Sequence, residues 1–288
     1  MKRPVRDIRR KTLKRCLQAR KESSMEIRDI RIDQGKAFDW GRASKDYARY
    51  RDIYPEIFYQ KIRERGIGIK GQKVLDLGTG TGVLPRNMYK YGAQWTGTDI
   101  SPEQIREARR LAGEAGMKTD FFASAAEDLD FPPASFDAVT ACQCFWYFDH
   151  RKVMPLIRRF LKKDGSLLIL YMAWLPFEDP IAGKSEELVL KYNPCWSGAG
   201  ERIHPIEIPE EYFSRFCLED HEEMELMIPF TRETWHGRMR SCRGTAASLS
   251  PEDLEKWDRE HRAFLLKEAP EEFPVRHYMA LALLRKKS

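Results

Sequence analysis

At 288 residues, 42% hydrophobic and 33% charged, the chain is long enough to bury a sizeable core as one elaborated domain. It contains no apolar run approaching 18 residues and no signal-peptide hydrophobic core, so the expectation is a soluble chain without a spanning helix. Six cysteines (Cys16, Cys142, Cys144, Cys195, Cys217, Cys242) without an export signal are expected to stay reduced, which implies a cytoplasmic setting and no disulfide framework.

The formal net charge of +6 is unevenly spread. Residues 1–24 hold ten Lys or Arg against Asp7 and Glu22, a net of +8, and the rest of the chain is left at −2. This basic arm, bounded at about residue 28, admits three readings: a disordered or fraying tail, a polyanion-binding segment, or sequence translated from a misjudged start ahead of Met25. Residues 29–288 make up the remaining domain.

From Asp29 to Gly66 the pattern is helical and aromatic, with Tyr47, Tyr50, Arg51 and Tyr54 at the three- and four-residue spacing of one helix face. Val74 to Leu77 reads as a short buried strand running into Gly78-Thr79-Gly80-Thr81-Gly82. The three glycines permit a sharp turn with no Cβ between backbone and ligand, so a nucleotide-like cofactor can lie on the main chain. Val83 to Tyr91 is expected as a helix, with Pro85 in its first turn. The next apolar run ends at Asp99, 17 residues after Gly82, where a carboxylate at a strand's C-terminal end can accept hydrogen bonds from two ribose hydroxyls. Ser101-Pro102 starts a helix with a capping serine and proline at its first position. Residues 121–123, 136–142 and 166–172 are expected strands, with a helix over 153–161. Strands alternating with helices at this spacing give a parallel, doubly wound α/β sheet, and ligands bind beyond its strands' C-terminal ends. Residues 174–216 break the alternation with Pro176, Pro180, Pro194, Pro205 and Pro209, and read as a cap inserted over the site. Strand-like runs at 223–230 and 277–285 flank a helical stretch over 251–268.

The glycine turn is informative in what it lacks. A dinucleotide fingerprint needs Gly or Ala as its sixth residue, and here that residue is Val83. S-adenosylmethionine carries no phosphate and tolerates Gly-x-Gly-x-Gly, with an acid ahead of the first glycine, Asp76, placed to meet its ammonium group. Asp76 to Gly82, Asp99 and the downstream Ser135-Phe136-Asp137 resemble a class I S-adenosylmethionine-dependent methyltransferase. Tyr47-Ala48-Arg49-Tyr50-Arg51 ahead of Tyr54-Pro55 is similar to the cofactor-covering segment of the methyltransferase type 11 group, which includes ubiquinone/menaquinone-biosynthesis and trans-aconitate methyltransferases. The resemblance implies a Rossmann-like, mainly parallel seven-stranded sheet with an antiparallel C-terminal edge. It also implies S-adenosyl-L-methionine as cofactor, approached by Tyr47 and Arg51 at its methionyl end or on the substrate side. Gly78, Thr79, Gly80 and Gly82 would form the turn, and Asp99 and Ile100 the ribose site. Ala126 and Glu127 would meet the adenine edge, Ala125 standing where an Asp is common in the family. Cys142 and Gln143 would lie under the methionine.

Methyl transfer asks the protein mainly for alignment and water exclusion, so few dedicated catalytic residues are expected. Trp146 and Tyr147 stand where related enzymes often have His-Trp, which makes His150 the nearest alternative base. A lone Cys-x-Cys at 142–144 lacks the further ligand pairs of a zinc site, so no metal is expected. Downstream, Arg202, His204, Trp235, His236, Arg238, Arg240, Cys242 and Arg243 form a basic and aromatic group, in which Arg238 and Arg240 cannot share a helix face. Guanidinium forks suit a carboxylate or phosphate. The leading function is methyl transfer to a small acceptor, carboxylate or phenolic in character, with neither membrane nor nucleic-acid partner. The alternative is an RNA or protein methyltransferase that uses the basic arm. Nothing in the sequence fixes the oligomeric state.

Overall fold

The computed structural model describes residues 26–287, so the basic arm over 1–24 lies outside it. Seven strands, β1 (Lys73–Leu77), β2 (Gln94–Asp99), β3 (Asp120–Ala123), β4 (Phe136–Cys142), β5 (Leu161–Trp174), β6 (Phe216–Thr231) and β7 (Glu272–Lys286), form one sheet in the order β3-β2-β1-β4-β5-β7-β6. The first five run parallel, and β7 pairs antiparallel with both β5 and β6. This is the doubly wound sheet with an antiparallel edge that the sequence implies. The chain order reverses at β1, so β1 and β4 lie side by side with Asp76 opposite Thr140. Their C-terminal ends open the crevice in which such sheets bind ligands.

Alternation along the strands divides the core in two. Val74, Ala138, Leu168 and Leu170 face one side, and Leu75, Leu77, Val139, Leu167 and Ile169 the other. Buried on both faces, β1 and β4 read as near-continuous apolar runs, as parallel strands do. The edge strand β6 instead carries exposed Glu219 and Glu225, charges that discourage pairing with another chain.

Eight α-helices are described: α1 (Ser44–Tyr50), α2 (Glu56–Glu64), α3 (Val83–Met88), α4 (Pro102–Glu114), α5 (His150–Phe160), α6 (Pro180–Tyr192), α7 (Arg232–Arg240) and α8 (Pro251–Glu268). α4 is capped by Ser101, whose Oγ accepts from Gln104 N, and Asp179 caps α6 through Ile181 N and Ala182 N. α5 lays Val153, Ile157 and Phe160 on one face of the sheet. On the other face α6, α7 and α8 form a helical layer around Trp174, Trp196, Trp235 and Trp257. Each such aromatic contributes roughly 1.5–3 kcal/mol of burial.

Three differences from the sequence pattern have local causes. The helical expectation over Asp29–Gly66 holds only in α1 and α2. Residues 29–43 run through turns, with Asp33 and Gln34 in the left-handed region, because Asp33 is drawn into bonds with Ser197 and Arg243. The helix after the glycine turn stops at Met88 and tightens into a 3-10 turn over Tyr89–Tyr91, ended by Gly92 at φ 86°. α7, which periodicity did not reveal, is short and buried through Trp235 to Met239, so no polar face marks it in the sequence.

Candidate active site

One cavity of about 600 Å³ opens at the C-terminal ends of β1, β2, β4 and β5, within the usual range for small-ligand sites. Its floor is the glycine turn. Gly78 and Gly80 sit at φ 57° and 56°, and a Cβ on Gly78 would lie 2.7 Å from Cys144 Sγ. A Cβ on Gly80 would press on the Tyr47 ring at 3.4 Å. The backbone is therefore bare where a ligand approaches it.

Two carboxyls organise this floor. Asp99 closes β2, its Oδ2 accepting from Gly80 N and its Oδ1 from Ser101 N, both at 2.9 Å. Burial pushes its carboxyl up to about 6 against those two bonds. Asp99 lines the cavity, where its remaining lone pairs are available to a ligand's hydroxyls. Asp76 is 1% exposed and lies behind the turn. Its two oxygens accept from Thr79 Oγ1 and Thr140 Oγ1, each at 2.6 Å. Burial pushes this carboxyl up to about 7. Asp76 and Thr79 thus brace the turn against β4 from below, and neither lines the cavity; nor does Gly82, which starts α3 at φ 73°.

Ile100, Ala126, Glu127, Cys142 and Gln143 line the same cavity. Glu127 Oε1 accepts from Asp149 N at 2.8 Å, which fixes the adjoining loop. Gln143 takes a left-handed φ of 66°, with its Nε2 donating to Met172 O. Non-glycine strain of this kind costs about 1–3 kcal/mol and gathers at functional sites. Burial pushes the Cys142 thiol up to about 12 and Cys144 well above its usual range. The two thiols donate to Tyr54 Oη and to Leu77 O respectively, as neutral packing groups.

Trp146 and Tyr147 line the cavity, but His150 does not. The start of α5 turns His150 under the loop, with Nε2 2.7 Å from Phe145 O and its ring 4.4 Å from that of Phe145. It supports the loop and does not line the cavity, which corrects its expected place as a base facing the site. Tyr147 Oη accepts from Arg243 Nη1, and Arg243 is itself ion-paired with Asp33. Trp235 is fully buried, with Nε1 donating to Ser185 Oγ. His236 is also buried away from the cavity, between Asp258 and His261.

The remaining wall comes from segments far apart in sequence. Ser197 N and Oγ both donate to Asp33 Oδ1 at 2.7 and 2.9 Å, tying residues 193–201 to the N-terminal turns. Glu186 on α6 accepts from Trp174 Nε1 at 2.6 Å and Gly200 N at 2.8 Å, holding the same loop to β5. Of the group these ties bring together, the sequence pattern singled out His204 but neither Glu201 nor Tyr171. Glu201 Oε2 accepts from Tyr171 Oη at 2.8 Å, while its Oε1 meets Tyr278 Oη at 2.7 Å and His204 Nε2 at 2.9 Å. His204 Nδ1 faces Pro205 O at 2.8 Å. Both ring nitrogens of His204 thus face oxygens. Tyr171, Glu201 and His204 all line the cavity, about 70 to 100 residues downstream of Asp99.

Parallel strands with an antiparallel edge, a bare glycine turn and an acid at the end of β2 are the features of the Rossmann-like, class I methyltransferase fold. Residues 74–165 match the family described as methyltransferase domain. A ubiquinone biosynthesis O-methyltransferase of Idiomarina loihiensis is 37% identical over 102 residues, which cover 35% of this chain and 42% of that protein. One of the same name from Xanthomonas euvesicatoria pv. vesicatoria is 30% identical over 128 residues, covering 44% and 54%. The chain thus spans about half the length of the curated relatives it matches. A Bacillus halodurans structure described as a candidate methyltransferase superposes with a TM-score of 0.50 at 18% identity, over 80% of this chain and 98% of that one, a likeness of fold.

Proposed function

We propose that the chain transfers a methyl group from S-adenosyl-L-methionine to a small-molecule acceptor. The observation that carries this reading is a single cavity lined at one end by Asp99 and the glycine turn and walled at the other by residues 193–204. The residues present fit the cofactor. Gly78 and Gly80 leave a cradle that side chains would fill, and Gln104 Oε1 is buried in the cavity wall without a hydrogen-bond partner. In this reading Asp99 holds the ribose hydroxyls, Ala126 and Glu127 flank the adenine, and Arg51, stacked 4.7 Å over the Tyr47 ring, meets the methionyl carboxylate. Asp76 keeps the turn in shape and does not touch the ammonium group.

When bound, the cofactor supplies an electrophilic methyl on a good sulfonium leaving group. Residues 174–216 act as the cap that excludes water, and Trp146, Tyr147 and Tyr171 orient the acceptor. Glu201 Oε2 takes the proton that an O–H or N–H acceptor gives up, with His204 Nε2 against Oε1 holding the carboxylate in place. The alternative, an RNA or protein acceptor, rests on the basic arm outside the described residues, whereas the walled cavity favours a small one. Calorimetry with S-adenosylhomocysteine in the presence of a chelator is the test: binding is expected, and preference for NAD would overturn the assignment.

A further inference from the structure

Arg238 lies on the face of α7 that looks into the cavity and is 4% exposed. Its guanidinium carbon is 4.7 Å from the centre of the Trp174 ring, and Nη1 donates to Cys242 Sγ at 3.1 Å. Nε is buried with no acceptor, and no carboxylate lies within salt-bridge distance among the described residues. Arg240, two positions on, points away and pairs with Asp46 and Asp258. Arg243 is satisfied by Asp33, and Arg31, which also lines the cavity, by Asp29. Among the lining arginines, Arg51 and Arg238 alone lack a carboxylate partner within the described residues.

A buried guanidinium without a counter-ion is costly unless something arrives to pair with it. Burial and the neighbouring Arg51 push Arg238 down to about 10, so it remains a cation at neutral pH. Two such cations call for two anions. The cofactor brings one carboxylate, and its ammonium and sulfonium leave it net positive, so it cannot balance both arginines. Arg51 stacks on Tyr47 beside the glycine turn, which places it at the methionyl end. Arg238 stacks on Trp174 at the end of β5, the strand that also brings Tyr171, Met172 and Ala173 to the cavity, and its Nη1 shares Cys242 Sγ with Arg51 Nη1.

We propose that Arg238 is the floor of a second oxyanion site, which binds a carboxylate or phosphate group carried by the methyl acceptor. The inference rests on the proposed methyltransferase reading and names the acceptor's class. The anion is a handle that fixes the acceptor's orientation; the methylated atom is elsewhere on the molecule, within reach of Glu201 and His204. The indole of Trp174 keeps the guanidinium plane fixed, so that two of its N–H groups present the fork that carboxylates and phosphates accept.

The test is calorimetry on the full chain, first with S-adenosylhomocysteine alone and then with benzoate, phenyl phosphate and benzamide, each in the presence and absence of saturating S-adenosylhomocysteine. At least one of the two anions should bind tenfold or more tightly than the neutral amide. Arg238→Gln should abolish that preference, Arg238→Lys should keep part of it, and S-adenosylhomocysteine affinity should change less than threefold in both variants. Matching thermal melts establish that each variant is folded. Equal affinity for anions and amide in the wild-type chain, including binding of none, overturns the proposal. A tenfold loss of S-adenosylhomocysteine affinity in Arg238→Gln also overturns it, because Arg238 would then hold the cofactor's own carboxylate. Failure of S-adenosylhomocysteine to bind the wild-type chain is a separate outcome that sinks the methyltransferase reading, while the anion titration without it still decides whether Arg238 makes an oxyanion site.

Discussion

The two ends of the cavity are built by different means. At the cofactor end, Gly78, Gly80, Asp99 and Ala126 fall within 49 residues of sequence and act largely through backbone, with Asp99 itself anchored by two main-chain N–H groups. At the proposed acceptor end, Tyr171, Glu201 and Arg238 lie far apart in sequence and line the cavity through side chains that meet only because β5, the 193–204 loop and α7 converge, with Tyr278 of β7 donating to Glu201. In the proposed reading, the cofactor meets a local backbone device, whereas the acceptor meets a constellation that the tertiary structure assembles.

This contrast breaks if acceptor-end changes disturb the cofactor, or the reverse. The largest effect is expected for Glu201→Gln. Loss of the proton-receiving carboxylate should lower turnover of an O–H or N–H acceptor by about 10²–10⁴, the usual range for general-base catalysis, with S-adenosylhomocysteine binding little changed. Steady-state kinetics on an acceptor found by mass spectrometry of metabolite mixtures reads this. Full activity would remove Glu201 from the proton path.

Asp99→Ala should weaken S-adenosylhomocysteine by about 1–3 kcal/mol, the cost of leaving hydrogen-bonding groups unpaired. An unchanged dissociation constant would take Asp99 off the ribose.

The pH dependence sharpens the same point. Asp99 has its carboxyl raised to about 6 in the ligand-free chain, and the ionised form is the one that accepts from ribose hydroxyls. Cofactor affinity should therefore be level above pH 6 and fall below it, by up to about tenfold per pH unit. Asp99→Asn should flatten the curve. Stability runs the other way: folded carboxyls raised above the unfolded 3.8 hold a proton that the unfolded chain has lost. Asp76 and Asp99 thus make the cofactor-free protein less stable as pH rises from about 4 to 7. A chemical-denaturation series across that interval, with wild type compared with Asp76→Asn, should show the slope reduced in the variant.

The smallest effect is expected for Arg240→Ala. Removing this partly exposed partner of Asp46 and Asp258 should cost about 1 kcal/mol or less in stability and leave cofactor binding and turnover within twofold. A turnover defect like that of an acceptor-end variant would show that both faces of α7 serve the site.

The two ends also differ in how far they can be read without coordinates. The glycine turn, Asp99, the strands at 121–123 and 136–142 and the helix over 251–268 are visible in sequence because their signals are local: apolar period, capping Ser, Gly where a Cβ has no room. The same logic misplaced His150, since a histidine opening a helix after an aromatic loop looks free until Phe145 O is seen to take its Nε2. It also put Asp76 against the ligand, whereas its side chain is buried off the cavity lining, bonded to Thr79 and to Thr140 of the neighbouring strand. Arg238 and Arg240 could be assigned to opposite faces from spacing alone, but not which of them meets the cavity. That choice is made by Asp46 and Asp258, which hold Arg240 outward.

By itself, then, the sequence determined the doubly wound sheet, the turn that a cofactor can lie on and the acid beside it, because these follow from backbone sterics and hydrophobic period over a few residues. The tertiary structure alone decided the Glu201 network and which arginine is left without a counter-ion. Both depend on pairings between Asp33 and Arg243, Glu186 and Gly200, or Asp258 and Arg240, and such long-range choices among charged partners leave no periodic trace in the chain.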